Sequence, residues 1–169
     1  MTTPEEGWER LKDFPLFSGT SHTFKHRYHA GCSVIEDPNN NGPDKIVIFA
    51  GISASTIVQD GVDITIQAKA STILYDIPAD EWSHAGDLPR PLEYIGAVAS
   101  LEKGKVLSLG GEVETGDSSN TQLDVVYEFS YITSNWTELP IKLLDKQYGT
   151  VGIVVSSDYF KNILGTNCT

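Results

Sequence analysis

The protein has 169 residues, which is enough for one domain with a hydrophobic core. Hydrophobic residues make up 40% of the chain and aromatic residues 9%, a composition typical of folded rather than disordered proteins. The formal net charge is −11, and the chain has no run of lysines and arginines with which to bind phosphate groups. We therefore expect neither a nucleic-acid partner nor a membrane partner.

Two further features bear on the compartment. Cys32 and Cys168 are the only cysteines in the sequence, too few for a disulfide framework, and we interpret them as free thiols. No segment approaches 18 consecutive apolar residues, and the first residues lack the basic and apolar regions of a signal peptide. The compartment stays open, with these features favouring the cytoplasm.

The first predicted element is a single short strand over residues 6–12, centred on Trp8. Three histidines follow it: His22, His26 and His29. The first two would bind zinc together only on a helix, and the surrounding sequence has no helical periodicity. We interpret all three as loop residues and expect no metal site and no cofactor.

A first unit of four strands is predicted over residues 28–88. Its apolar residues alternate or form short runs broken by Gly, Pro, Asn and Asp, the pattern of strands and turns. The predicted strands are residues 31–36, 45–49 and 71–77 and a strand containing Trp82. The sequence between the second and third strands is predicted as a long loop.

A second unit follows over residues 94–140, and a third begins within residues 147–169. The predicted strands of the second unit are residues 96–102, 105–109 and 123–131 and a strand around Trp136. Residues 112–121 are predicted as a polar loop between its second and third strands. All of these elements are strands, so we predict an all-β fold with antiparallel pairing.

The two units are copies of one repeat. Trp82 and Trp136 are 54 positions apart, and an aromatic residue precedes each tryptophan by seven positions. The residues that recur in this way are structural landmarks: Gly51, Tyr75, Trp82, Gly110, Gly111, Phe129 and Trp136. Glycines at a strand end suit a backbone with φ > 0, and the aromatic residues are predicted to fill the core. Four short strands per period is the layout of a propeller blade.

These landmarks resemble the kelch repeat: a hydrophobic strand ended by Gly110 and Gly111, an aromatic residue at Phe129, and Trp136 seven positions later. The resemblance covers about residues 8–156. It departs at Ala50, which replaces the first glycine of the pair, and at Ile95, which we align with His29. It implies four-stranded antiparallel blades of a β-propeller. Two complete units cannot close such a ring, so we expect an incomplete ring, as in a segment of a longer protein or an assembly of several copies.

The resemblance implies a non-catalytic module that binds a partner protein through its loops. The candidate binding loop carries three carboxylates, at Glu112, Glu114 and Asp117, which together with the net charge of −11 favour a basic partner surface.

Two alternatives remain open at this point. One is a segment of a propeller enzyme similar to galactose oxidase, which would need copper ligands and a cysteine-linked tyrosine. Neither Cys32 nor Cys168 lies in a recognisable ligand set. The other is an unrelated β-sandwich that serves as a binding domain.

Overall fold

The computed structural model describes residues 27–39, 44–57, 63–99, 102–115 and 119–152. Every regular element within these ranges is a β-strand, and no helix there is long and apolar enough to cross a membrane. The predictions for Trp8, His22, His26, Asp117, Cys168 and residues 153–169 lie outside the described residues. The strands are β1 (Arg27–Tyr28), β2 (Gly31–Ile35), β3 (Lys45–Phe49), β4 (Ile52–Ile57), β5 (Asp63–Ala68), β6 (Thr72–Asp76), β7 (Glu81–Ala85), β8 (Gly96–Ala99), β9 (Lys105–Leu109), β10 (Glu112–Thr115), β11 (Ser119–Ser130) and β12 (Asn135–Gln147).

The first sheet contains four strands in the order β2-β3-β6-β7, and every neighbouring pair is antiparallel. The prediction of its strands is confirmed to within a residue at most ends. β3 illustrates why these segments form strands, because its sequence is dominated by β-branched and aromatic residues that suit a pleated surface.

The second sheet has five strands, of which β8, β9, β11 and β12 follow in the same order as the strands of the first sheet. All of its pairs are antiparallel, and its fifth strand is β10. The sequence predicts that its last strand ends near Leu139, but β12 continues to Gln147. Two register shifts, between Leu123 and Val125 and between Val125 and Tyr127, accommodate extra residues on β12. Bulges of this kind allow a strand to continue past Pro140, which is tolerated because β12 is paired only with β11 among the described strands.

A hairpin follows the second strand of each sheet, where the sequence predicts loops. β4 and β5 pair with each other and with β1 in a small third sheet. β10 pairs with the first part of β11 in the corresponding place. The prediction that a loop joins the second and third strands of each unit is therefore wrong for the described residues. The alternating polar and apolar residues of β4 and β5 are the strand signal that was missed.

The main core lies between the first and second sheets. Trp136 of the second sheet packs against Phe49 of the first, with ring centroids 4.6 Å apart, and its indole N–H donates a buried hydrogen bond of 2.9 Å to Thr72 Oγ1. Phe129 also contacts the indole, with a centroid separation of 5.3 Å. Removing rings of this size from water is worth a few kcal/mol each. The remaining buried side chains of this core include Ile35, Val47, Leu74, Val106, Val125 and Tyr127.

The two sheets stack in the same orientation, so that unlike faces meet at their interface. Trp82 is in register with Tyr75, and Tyr75 is in register with Ile46. Because side chains alternate along a strand, these three residues lie on the opposite face from Val47 and Phe49, which contact the second sheet. The Tyr75–Trp82 pair therefore occupies the face of the first sheet that points away from the second sheet, whereas the matching Phe129–Trp136 pair points toward the first.

Candidate functional site

The two hairpins meet at their bases. Leu92 forms a β-bridge with Lys69, which follows β5, and the next residue, Glu93, forms a β-bridge with Glu112 at the start of β10. The β1 residue Tyr28 makes the equivalent pairing with Ile52 at the start of β4. One short connecting segment therefore touches both hairpin bases, and the hairpins lie side by side at one end of the stacked sheets.

Three aromatic side chains form a column at this end: His29, Tyr94 and Tyr148. His29 stacks on Tyr94 with ring centroids 3.7 Å apart and 26° between the ring planes, and Tyr148 meets Tyr94 edge to face at 5.9 Å. The backbone N–H of Gly149 donates a hydrogen bond of 2.7 Å to the Tyr94 carbonyl, which fixes Tyr148 beside Tyr94. We call these three residues the aromatic column.

The column repeats with the fold. His29 and Tyr94 each precede the first strand of a sheet by two positions, and both have left-handed backbone angles, with φ of 55° and 50°. The alignment of His29 with Ile95 is therefore wrong, because the structure places Tyr94 at the equivalent position. The recurrence of Tyr94 as Tyr148, 54 positions later, is the sequence signal for this column.

Charged residues lie at the bases of both hairpins. Near the first hairpin, the Arg27 guanidinium donates hydrogen bonds to the backbone oxygen and the hydroxyl of Ser71. Burial lowers the pKa of Arg27, and the Asp87 carboxylate partly opposes that effect. Burial and then the nearby Arg27 charge lower the pKa of Lys69. At the base of the second hairpin, Glu93 and Glu112 pair through their backbones, and both residues are buried.

The predicted acidic loop is only partly described. Glu112 is 7% exposed and begins β10, so the prediction that it lies in a polar loop is wrong. The reason is its backbone pairing with Glu93, which holds it at the base of the hairpin. Glu114 lies farther along β10, in register with Asn120. We define the hairpin face as the β4/β5 hairpin, the β10/β11 hairpin and the aromatic column.

The predicted landmark glycines confirm the expected backbone. Gly51, Gly110 and Gly111 all have left-handed angles, with φ of 83°, 63° and 102°. A β-carbon on Gly51 would lie 2.7 Å from the Tyr28 carbonyl oxygen. The landmarks therefore place the base of each hairpin against the segment that precedes the sheet, which supports the hairpin face without contributing side chains to it.

The sequence matches no family model and no curated protein. The solved structure of YjhT is similar in fold, with a TM-score of 0.54 at 15% sequence identity. The similarity covers 74% of this chain and 30% of that chain. At this identity the likeness concerns the fold alone, and the chain spans less than a third of the length of the protein that it matches.

Proposed function

We propose that the protein is a segment of a kelch-type β-propeller that binds a basic partner protein through its hairpin face and has no catalytic role of its own. The observation that carries the proposal is the pair of hairpins, which follow the second strand of each sheet and meet through the bridges of Leu92 and Glu93. Surface hairpins on a stacked scaffold are a common means of presenting contacts to a partner.

The stacking direction supports blades over a β-sandwich. Each sheet consists of strands from one sequence repeat, and the second sheet turns its Trp136 face toward the first. Trp82, the equivalent residue, is on the far side of the first sheet. A repeat of this kind continues in one direction, as blades do, whereas the two sheets of a sandwich turn matching faces toward each other. The fold likeness covers 74% of this chain and only 30% of the matched chain, which agrees with a segment of a larger protein.

The charge of the second hairpin supports a basic partner. Glu114 lies in β10, Asp117 falls between β10 and β11 in the sequence, and the whole chain carries a net charge of −11. Glu93 and Glu112 are buried at the base of this hairpin and are not part of its charged surface. A local acidic surface on an acidic protein raises the association rate with positively charged partners and makes it salt-dependent.

Matched charge reversals test the proposal. The face variant is the double substitution Glu114→Lys and Asp117→Lys. The control is Asp44→Lys and Glu81→Lys, which makes the same change in net charge at the opposite end of the first sheet, where both residues are exposed. We expect affinity capture with quantitative mass spectrometry to find basic proteins that the wild type and the control retain and that the face variant loses.

Two results would contradict the proposal. If both variants lost the same proteins, net charge rather than the hairpin face would determine binding. If neither variant lost any captured protein, the hairpin face would not be the binding surface.

A further inference from the structure

The first sheet has an apolar face that points away from the second sheet, and we call it the outer face. It includes one row of side chains in register across the four strands and the neighbouring row beside it. The residues are Val34, Ile46, Tyr75 and Trp82 of the first row and Cys32 and Ile73 of the second.

Two side chains of the outer face are buried although they lie outside the main core. Ile73 is fully buried and Tyr75 is 3% exposed, and neither belongs to the core between the two sheets. The residues in register with them belong to the same sheet. Neighbours within one sheet stand beside a side chain and do not cover it from above, so burial this complete needs a second layer. The outer face is therefore covered over β6.

The covering layer is narrow. Burial decreases from β6 toward both edges of the sheet: Trp82 on β7 is half-buried, and on β2 Cys32 is exposed and Val34 is 49% exposed. The opposite face differs, because there the second sheet covers the same edge strand and Ile35 of β2 is only 2% exposed. A complete sheet, from a second copy or a further blade, would cover β2 on the outer face in the same way. The observed gradient fits one or two chain segments.

The chain enters the first sheet beside β6. Arg27 begins β1, and its guanidinium donates hydrogen bonds to the backbone oxygen and the hydroxyl of Ser71, the residue directly before β6. Residues 1–26 precede this point. Fully extended they would span about 80 Å, whereas the five residues of β6 span about 17 Å. The preceding segment therefore begins at the covered strand and is long enough to cover it.

The sequence of that segment repeats a pattern that is buried in the next unit. Phe14 and Pro15 follow Trp8 by six and seven positions, as Leu88 and Pro89 follow Trp82. Leu88 is 4% exposed and belongs to the main core, together with the Phe129–Trp136 pair of the second sheet. The Tyr75–Trp82 pair is the counterpart of Phe129–Trp136 in the first sheet. The repeat therefore assigns Phe14 to the outer face, beside the Tyr75–Trp82 pair.

We propose that residues 8–17 of this chain lie across the outer face of the first sheet, with the Phe14 ring packed over β6. The segment closes the stack at this end, so the outer face is not a surface for a partner protein or a second copy. Stacked repeats need such a terminal cap, because an uncovered apolar face promotes association. The inference goes beyond the proposed function and does not require it, since the hairpin face is a different surface.

The test uses Cys32, an exposed thiol on the outer face. A nitroxide is attached to it in the full chain carrying Cys168→Ser, and NMR measures each backbone amide before and after the nitroxide is reduced. Because a nitroxide broadens the signals of nearby amides, we expect residues 8–17 to lose most of their intensity.

The matched control carries Cys32→Ser, Cys168→Ser and Thr137→Cys. It moves the label to an exposed residue of β12 that lies on the face of the second sheet opposite to Trp136. Two stacked sheets, about 10 Å apart, then separate the label from the outer face, so residues 8–17 should keep their intensity.

Two substitutions in the segment identify the residue that holds it. In the chain labelled at Cys32, Phe14→Ser should restore most of the intensity of residues 8–17, because it removes the apolar contact. Lys12→Ser should leave the loss unchanged, because a lysine side chain is not expected to face an apolar sheet. Unchanged amide shifts in β9 and β11 show that the second sheet stays folded in both variants.

Three results would overturn the inference. The first is full intensity of residues 8–17 in the chain labelled at Cys32. The second is the same loss of intensity with and without Phe14→Ser. The third is broadening of residues 8–17 in isotope-enriched chains without cysteine when they are mixed with labelled chains, because a second copy would then cover the outer face. If residues 8–17 lost intensity as expected while the Glu114 and Asp117 reversals left partner capture unchanged, the proposed function would fail and this inference would stand.

Discussion

At the scale of single residues, the repeat constrains the backbone more strictly than the side chains. Gly110 and Ala50 occupy the same place after the second strand, and both adopt left-handed angles, with φ of 63° and 57°. The glycine pair was predictable because a strand end followed by two glycines indicates φ > 0. The positive φ of Tyr94 was not predictable, because tyrosine does not favour it and only the neighbouring segments impose it.

Gly110 and Gly149 provide a matched pair for separating backbone strain from steric crowding. Both have φ of 63°, but a β-carbon on Gly110 would lie 2.5 Å from the Gln147 carbonyl oxygen, whereas one on Gly149 would meet nothing within 4 Å. Gly149→Ala should cost only the left-handed penalty, about 1–2 kcal/mol. Gly110→Ala should cost roughly 1–3 kcal/mol more, because backbone atoms must move. Urea unfolding measures the loss of unfolding free energy in each variant. Equal losses would show that the backbone at the end of β9 moves to accept the β-carbon at no cost.

At the scale of elements, strands with strong apolar patterns were predicted well and their connections poorly. β3 and β9 match their predicted residues, because short apolar runs between turn residues define them. The hairpins and the extension of β12 were missed, since polar strands held by pairing to neighbours carry weak local signals. For the same reason the sequence indicated an acidic loop but not the backbone bridge that buries Glu112.

The turn between β6 and β7 should make the first sheet sensitive to acid. The Lys45 ammonium, followed by the backbone N–H of Ala79, lowers the pKa of Asp76 below its ordinary value of 3.8. A depressed carboxyl pKa stabilises the folded state above the unfolded pKa, and this contribution is lost as the pH falls through the lower folded value. Asp76→Asn should therefore lower the melting temperature at pH 7 but have a progressively smaller effect below about pH 4.

The control for this pH series is Asp145→Asn, which removes the same charge from an exposed position of β12. Its effect on the melting temperature should be small at every pH. A deficit of Asp76→Asn that stayed constant down to about pH 2 would mean that the loss arises from the shape of the turn rather than from the ionised carboxylate.

At the scale of the whole molecule, the two sheets depend on one another because their shared core is built from residues of both. Phe49 lies in the first sheet, yet Trp136 of the second sheet covers it and donates its N–H to Thr72 of the first. In stacked repeats, stability is approximately the sum of each repeat and its interface with the next. The all-β class and the repeat period were predictable from the spacing of residues in the sequence. The direction of stacking was not, because it depends on which of the two tryptophans contacts the other sheet, and no local sequence pattern encodes that choice.

This dependence predicts cooperative opening of the first and second sheets. Phe49→Ala removes a fully buried ring and should cost about 3–5 kcal/mol. Amide hydrogen exchange should then speed up by a similar factor in β3 of the first sheet and in β9 and β11 of the second, because both lose the same interface. Val34→Ala, which truncates a side chain that is 49% exposed, should change neither sheet. Faster exchange confined to β3 and its neighbours would contradict this prediction. It would show that the second sheet is stable without the first and that their interface does not couple the two.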